Sequence, residues 1–144
     1  MKCEDVMTED PICCMPEDSV EQAAKKMTQN DIGSLPVIES EDSRKIVGIL
    51  TDRDLVLKVV GKGLDPQSVQ VKEVMTKNVI TCFKEDDLQR ALNAMADYQL
   101  RRIPVLDNGN RIVGIIAQAD IATRLDQPEK TASVVKDISK SVKD

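Results

Sequence analysis

Thr51 and Asp54 stand three residues apart in GILTDRDLV (Gly48–Val56), a hydroxyl and a carboxylate at the end of an apolar run. Two kinds of chemistry use that spacing. At a helix start the hydroxyl caps a backbone N–H and the carboxylate favours the positive end of the helix. In a ligand site, the open N–H groups and the hydroxyl suit a phosphate, and the carboxylate can accept both hydroxyls of a ribose. A second segment, GIIAQADIA (Gly114–Ala122), keeps the glycine, the apolar pair and the aspartate (Asp120) but has Ala117 and Ala119 in place of Thr51 and Arg53. Two equivalent helix starts need the same cap, so losing the hydroxyl from one of them favours a ligand role for the other. A matching edit lies upstream, where LRRIPV carries Arg101 and Arg102 in place of Gly33 and Ser34 in IGSLPV. Arginine offers a planar fork of donors to phosphate, although cations also suit the C-terminal end of a helix.

Composition removes several alternatives. The 144-residue chain has no histidine, hence neither the usual general base nor the commonest metal ligand. No catalytic residue and no metal ligand is assigned. A net charge of −5 with 1% aromatic residues argues against nucleic acid as a partner. The acidic, polar start MKCEDVMTED is unlike a signal peptide, no apolar run is long enough for a membrane span, and no C-x-x-C pair occurs. These features imply a cytoplasmic protein with reduced thiols. Cys14 and Cys82 are expected to face the core.

The elements that must position these residues come in two copies. A shift of 68 superposes Val6–Thr8 on Val74–Thr76, Cys14 on Cys82, Met27 on Met95 and Pro36–Val37 on Pro104–Val105. A shift of 66 then superposes Ile46–Ile49 on Ile112–Ile115 and Asp54 on Asp120. Periodicity gives a strand at PICCM and a helix over EDSVEQAAKKMTQND with a Ser19/Gln22 capping box. A hairpin of SLPVIE and RKIVGILT follows, then a helix over DRDLVLKVV ending at Gly61. The second copy repeats the order: strand Val79–Cys82, helix Asp86–Tyr98, strands Ile103–Leu106 and Arg111–Ile116, and helix Gln118–Leu125. The expected division is repeat 1 at 1–60, a linker at 61–72 containing the loop Gly61–Gln70, repeat 2 at 73–126, and a polar tail at 127–144. Val134, Val135, Ile138 and Val142 in that tail form a helical stripe. The fold class is α+β, two β-α-β-β-α repeats expected to pack as a pseudo-twofold pair, with a ligand cleft on each side.

The doubled pattern, with V-M-T openings, L-P-V or I-P-V hairpin starts and G-h-h-T-x-x-D at the strand–helix junction, resembles a tandem pair of CBS domains (a Bateman module) from about Asp5 to Leu125. Its layout, including the GLDP connector, is similar to small bacterial CBS pairs of the hypoxic-response type. The resemblance implies a regulatory module, not an enzyme, that binds an adenosine nucleotide (AMP, ADP or ATP), pairs as a homodimer and acts on a protein target. By position, the first cleft would take Ile49, Thr51, Arg53 and Asp54 with Thr76, Thr81, Leu100, Arg101 and Arg102. The second, weaker cleft would take Ile115 and Asp120 with Thr8, Cys13, Ile32, Gly33 and Ser34, and Ala117 departs from the pattern there. Two other readings stay open: a redox- or metal-responsive sensor built on the cysteines, and a structural dimeric adaptor with vestigial clefts.

Overall fold

The computed structural model describes residues 1–124. Its elements are β1 (Thr8–Glu9), α1 (Val20–Asn30), β2 (Ser34–Ile38), β3 (Ile46–Thr51), α2 (Asp52–Leu55), α3 (Val71–Val74), β4 (Cys82–Phe83), α4 (Leu88–Tyr98), β5 (Arg102–Leu106), β6 (Ile112–Ala117) and α5 (Gln118–Arg124). A 3-10 turn spans Cys3–Asp5, and a π-turn spans Val56–Val60. The stripe at Val134, Val135, Ile138 and Val142 lies outside the described residues, as does Leu125.

The chain divides into two compact units: Ile12–Val79, and Met1–Pro11 with Ile80 onward. The units are offset from the sequence repeats, because each contains the V-M-T opening of the other copy. In the Ile12–Val79 unit, β2 pairs antiparallel with β3 from Ser34 opposite Thr51 to Ile38 opposite Ile46. Thr76, in the second copy's opening, bridges Ile49 of β3 through reciprocal N–H to O bonds of 2.9 Å. In the other unit, Thr8 of the first opening stands opposite Ile115 in a four-stranded sheet ordered β1-β6-β5-β4.

A steric lock explains why each opening carries methionine and each hairpin glycine. A Cβ at Gly48 would lie 2.6 Å from Met75 Sδ and 3.0 Å from the Thr76 carbonyl oxygen. At Gly114 it would collide with Met7 Sδ. Only a missing side chain lets the opening lie flat on the hairpin.

The long helices follow their sequence signals. Gln22 N–H donates to Ser19 Oγ at 3.1 Å and Ser19 N–H to Gln22 Oε1 at 2.9 Å, completing the capping box. Val20, Ala23 and Met27 then face one core, and Leu88, Ala91, Leu92 and Met95 of α4 face the other. Both helices end on a left-handed non-glycine residue, Asp31 (φ 51°) and Gln99 (φ 58°), which occupy the same place in the repeat.

Three expectations need correction. PICCM is reduced to a single bridge of Cys14 to Val37, because prolines at 11 and 16 bracket the segment and remove two backbone donors. The second-copy strand lies at Cys82–Phe83 instead of Val79–Cys82, paired in parallel with Val105 and Leu106. The helix after Thr51 does not reach Gly61 as an α-helix: Gly61 N–H reaches back five residues to the Val56 carbonyl at 2.7 Å. Gly61 has φ −65°, and the left-handed turn falls at Gly63 (φ 67°). Within the Ile12–Val79 unit, Val20 N–H donates to the Val69 carbonyl at 2.9 Å and Val71 is fully buried.

Cys14 and Cys82 do face the cores, at 1% and 4% exposure. Burial, reinforced by Asp18, pushes the Cys14 thiol from 9.0 up to about 12. An unfolded chain therefore releases this proton first as pH rises. The resulting stability is intact below pH ~9 and is lost between pH ~9 and ~12, at about 1.4 kcal/mol per pH unit for one thiol. Cys14→Val is expected to flatten the fall in denaturation free energy measured across pH 9–11. An unchanged slope would show that Cys14 does not drive it.

Candidate functional site

Thr51 ends β3 and Asp54 sits in the first turn that follows. Asp54 N–H donates to Thr51 Oγ1 at 3.1 Å, and Thr51 N–H donates to Asp54 Oδ2 at 3.0 Å, a complete capping box. The structural reading of this motif is therefore realised, and it pre-sets the pair that a ligand would use. The second carboxylate oxygen, Asp54 Oδ1, lies 3.1 Å from Lys58 Nζ, which also donates to the Val74 carbonyl at 2.8 Å. Lys58 thus ties the carboxylate to the segment that carries Thr76. The sequence reading missed it, although the i,i+4 spacing of Asp54 and Lys58 was the available signal.

Around this pair, the Ile12–Val79 unit assembles most of its assigned residues. Ser34 is opposite Thr51, and Ile49 is bridged to Thr76. The Gly33 carbonyl accepts from Asp52 N–H at 2.9 Å. Gly33 and Ile32 line an open hollow of about 470 Å³ with Met27, Thr28, Asp52 and Val56. Arg53 is exposed. Cys13 is 8% exposed; its carbonyl accepts from Lys26 Nζ at 2.8 Å and its thiol from Arg44 at 3.8 Å. Burial raises its thiol pKa against the opposing pull of Arg44.

The other unit repeats the backbone with different side chains. Ala117 N–H donates to Asp120 Oδ2 at 2.8 Å, so half of the capping box survives without the hydroxyl. The Asp120 carboxylate therefore keeps a structural role at its helix start although the hydroxyl is absent. Its other oxygen accepts from Thr8 Oγ1 at 2.9 Å, where Asp54 has Lys58. Ile115 is buried opposite Thr8. The Arg101 carbonyl accepts from Gln118 N–H at 2.9 Å, repeating the Gly33–Asp52 bond, while its side chain is exposed. Arg102 is half-buried opposite Ala117 in β5. Leu100 packs partly against the core, and Thr81 is half-buried beside β4.

Charge thus separates the two half-sites at equivalent places. The Thr51 half-site carries Asp52 beside Gly33, and the Ala117 half-site carries Gln118 beside Arg101. Restoring the hydroxyl by Ala117→Thr is expected to stabilise the protein by about 1 kcal/mol, read as a higher Tm, because Asp120 N–H regains an acceptor. No rise would mean that the surviving half-box already satisfies the helix start.

Among the described residues, no helix is long and apolar enough to cross a membrane. No group of three or more Cys, Asp or Glu side chains there could hold a metal ion.

The family model for the CBS domain matches residues 3–61 and 71–127. Hypoxic response protein 1 of Mycobacterium tuberculosis is 36% identical, over 84% of this chain and 82% of that protein. The crystal structure of Hypoxic Response Protein I with two coordinated zinc ions superposes with a TM-score of 0.77, at 35% identity, over 87% of this chain and 99% of that one. The CBS domain pair of protein MJ0100, in complex with 5′-methylthioadenosine and S-adenosyl-L-methionine, gives 0.72, at 29% identity, over 85% of this chain and 93% of that one. With two domain matches in the order set by the internal repeat, the chain belongs to the CBS-domain family as a tandem pair.

Proposed function

We propose that this CBS pair is a regulatory module that binds an adenosine nucleotide, AMP, ADP or ATP. The first residue set, centred on Thr51 and Asp54, is the principal site, and the set around Asp120 is a weaker one. The observation that carries this reading is the pre-set Thr51–Asp54 pair: a hydroxyl and a carboxylate fixed at a helix start beside the Ile49–Thr76 bridge. The two ligands named for the MJ0100 pair share an adenosine moiety, whose ribose diol suits a carboxylate. The module works without catalysis, by shifting the population of a conformation that a partner protein reads. Val56, Leu57 and Val60, exposed by 57%, 51% and 69%, offer an apolar face for the proposed homodimer.

The zinc ions named for Hypoxic Response Protein I are not carried over to this chain. It has no histidine, and its described residues present no donor cluster.

Thermal unfolding in the presence of AMP, ADP, ATP and S-adenosylmethionine tests the proposal. A Tm that climbs with ligand concentration supports it, because a ligand bound at a hundred times its Kd adds about 2.7 kcal/mol. A flat Tm up to millimolar concentrations for all four would overturn it. Arg101 and Arg102 supply the phosphate dependence in this reading. Removing both is expected to weaken ATP about tenfold or more and adenosine little. Equal losses for the two ligands would remove the arginines from the phosphate site.

A further inference from the structure

Cys3 and Cys82 are 79 positions apart in sequence, yet they share one apolar cluster with Val6, Leu88 and Ile103. The backbone clamps them together. Cys3 N–H donates to the Asp86 carbonyl at 2.9 Å, Glu4 N–H to that of Lys84 at 3.0 Å, and Leu88 N–H to that of Met1 at 2.8 Å. Lys2 bridges Asp87 from the other side of the turn. Cys82 is held in β4 beside Val105, with its thiol 3.8 Å from the Pro104 carbonyl, and the Cys3 thiol lies 3.9 Å from that of Asp87. None of the four cysteines is in a disulfide. Cys14 is embedded in the other unit's core, so its burial has a packing explanation.

We propose that Cys3 and Cys82 are a redox-active dithiol whose oxidation staples the first-copy opening segment to the Ile80-onward unit. The segment held by the staple carries Thr8, whose hydroxyl bonds Asp120, and Met7, which packs on Gly114. The inference does not depend on the ligand reading.

The oxidant is a hydroperoxide. Cys3 is the attacking sulfur, because it sits on the 3-10 turn whose lifting from the 84–88 segment exposes a thiol. Its attack on the peroxide oxygen gives a sulfenic acid and releases water. Cys82, whose own pKa is raised, loses its proton and displaces a second water from that sulfur to form the disulfide. Two thiols lose two electrons and two protons, and one hydrogen peroxide becomes two waters. A small dithiol reverses the step by exchange. At 0% and 4% exposure, the pair reacts only when the 3-10 turn lifts from the 84–88 segment, so the reaction is slower than for an exposed thiol.

The test treats the purified full-length chain with equimolar hydrogen peroxide, titrates thiols in denaturant and maps the linked peptides by mass spectrometry. The expected result is a fall from four titratable thiols to two, a mass loss of two hydrogens, and one Cys3–Cys82 linked peptide that dithiothreitol abolishes. Cys13→Ser is expected to oxidise like the wild type, and Cys3→Ser is expected to form no intramolecular disulfide. The oxidised Tm should rise by roughly ten degrees, because the bond closes a long loop. Four remaining thiols, a different pairing, bonds only between chains, or a disulfide that lowers the Tm would each overturn the proposal. Wild-type peptide mapping keeps the test decisive even if a serine variant fails to fold.

Discussion

Asp54→Ala is expected to weaken adenosine-nucleotide binding about a hundredfold and to lower stability by about 1–2 kcal/mol. The two losses have separate origins. Stability falls because Thr51 N–H loses its acceptor at 3.0 Å and Lys58 loses the carboxylate 3.1 Å away, retaining only the Val74 carbonyl. Binding falls because an alanine cannot accept a ribose diol. Asp54→Asn separates the two effects. Its amide oxygen can still accept from Thr51 N–H, so stability should stay within about 0.5 kcal/mol of wild type, while paired acceptance from two hydroxyls is lost. Asp120→Ala is the companion control: it removes the acceptor for Ala117 N–H and Thr8, so stability drops, yet nucleotide affinity at the principal site holds. Chemical denaturation and ligand titration on the three variants check all of this. If Asp54→Asn keeps wild-type affinity, Asp54 is a capping residue alone.

Gly48→Val is expected to destabilise the Ile12–Val79 unit by about 2–3 kcal/mol. Its Cβ would arrive 2.6 Å from Met75 Sδ and 3.0 Å from the Thr76 carbonyl oxygen. The sulfur can swing away, but the carbonyl oxygen belongs to the reciprocal Ile49–Thr76 bridge and can move only if that bridge lengthens. Adding Met75→Ala should recover part of the loss by opening the space the valine needs, a coupling that a double-mutant cycle in urea would measure. Full additivity of the two changes would show that Met75 does not lock the opening onto the hairpin. Thr76 is displaced in the same movement, so nucleotide affinity should fall along with stability.

Much of this arrangement was legible in the residues themselves. The paired shifts of 68 and 66 revealed the repeat, and the Ser19/Gln22 box and both hairpins followed from local chemistry. What escaped was mostly non-local. That Met75 packs on Gly48 and Met7 on Gly114 depends on which copy each opening joins, and both openings match equally well in sequence. PICCM has strand-forming residues, but its flanking prolines leave too few donors for more than one bridge. The widened turn at Val56–Val60 follows from bonds reaching five residues back, which side-chain periodicity does not reveal. In the candidate site, the Thr51–Asp54 box could be read from spacing. The survival of its carboxylate half at Asp120 could not, because the remaining donor is the backbone N–H of Ala117. The edits between the two copies therefore concern the hydroxyl and the arginines, and both aspartates have structural work at their helix starts.

Isothermal titration calorimetry of AMP, ADP and ATP into the wild-type chain and into Asp54→Ala measures directly whether Asp54 holds a nucleotide. Saturable binding of at least one nucleotide below the millimolar range is expected, at about one tight site per chain that is lost in Asp54→Ala. No heat of binding below the millimolar range for any of the three, or a tight site that persists unchanged without the Asp54 carboxylate, would contradict it.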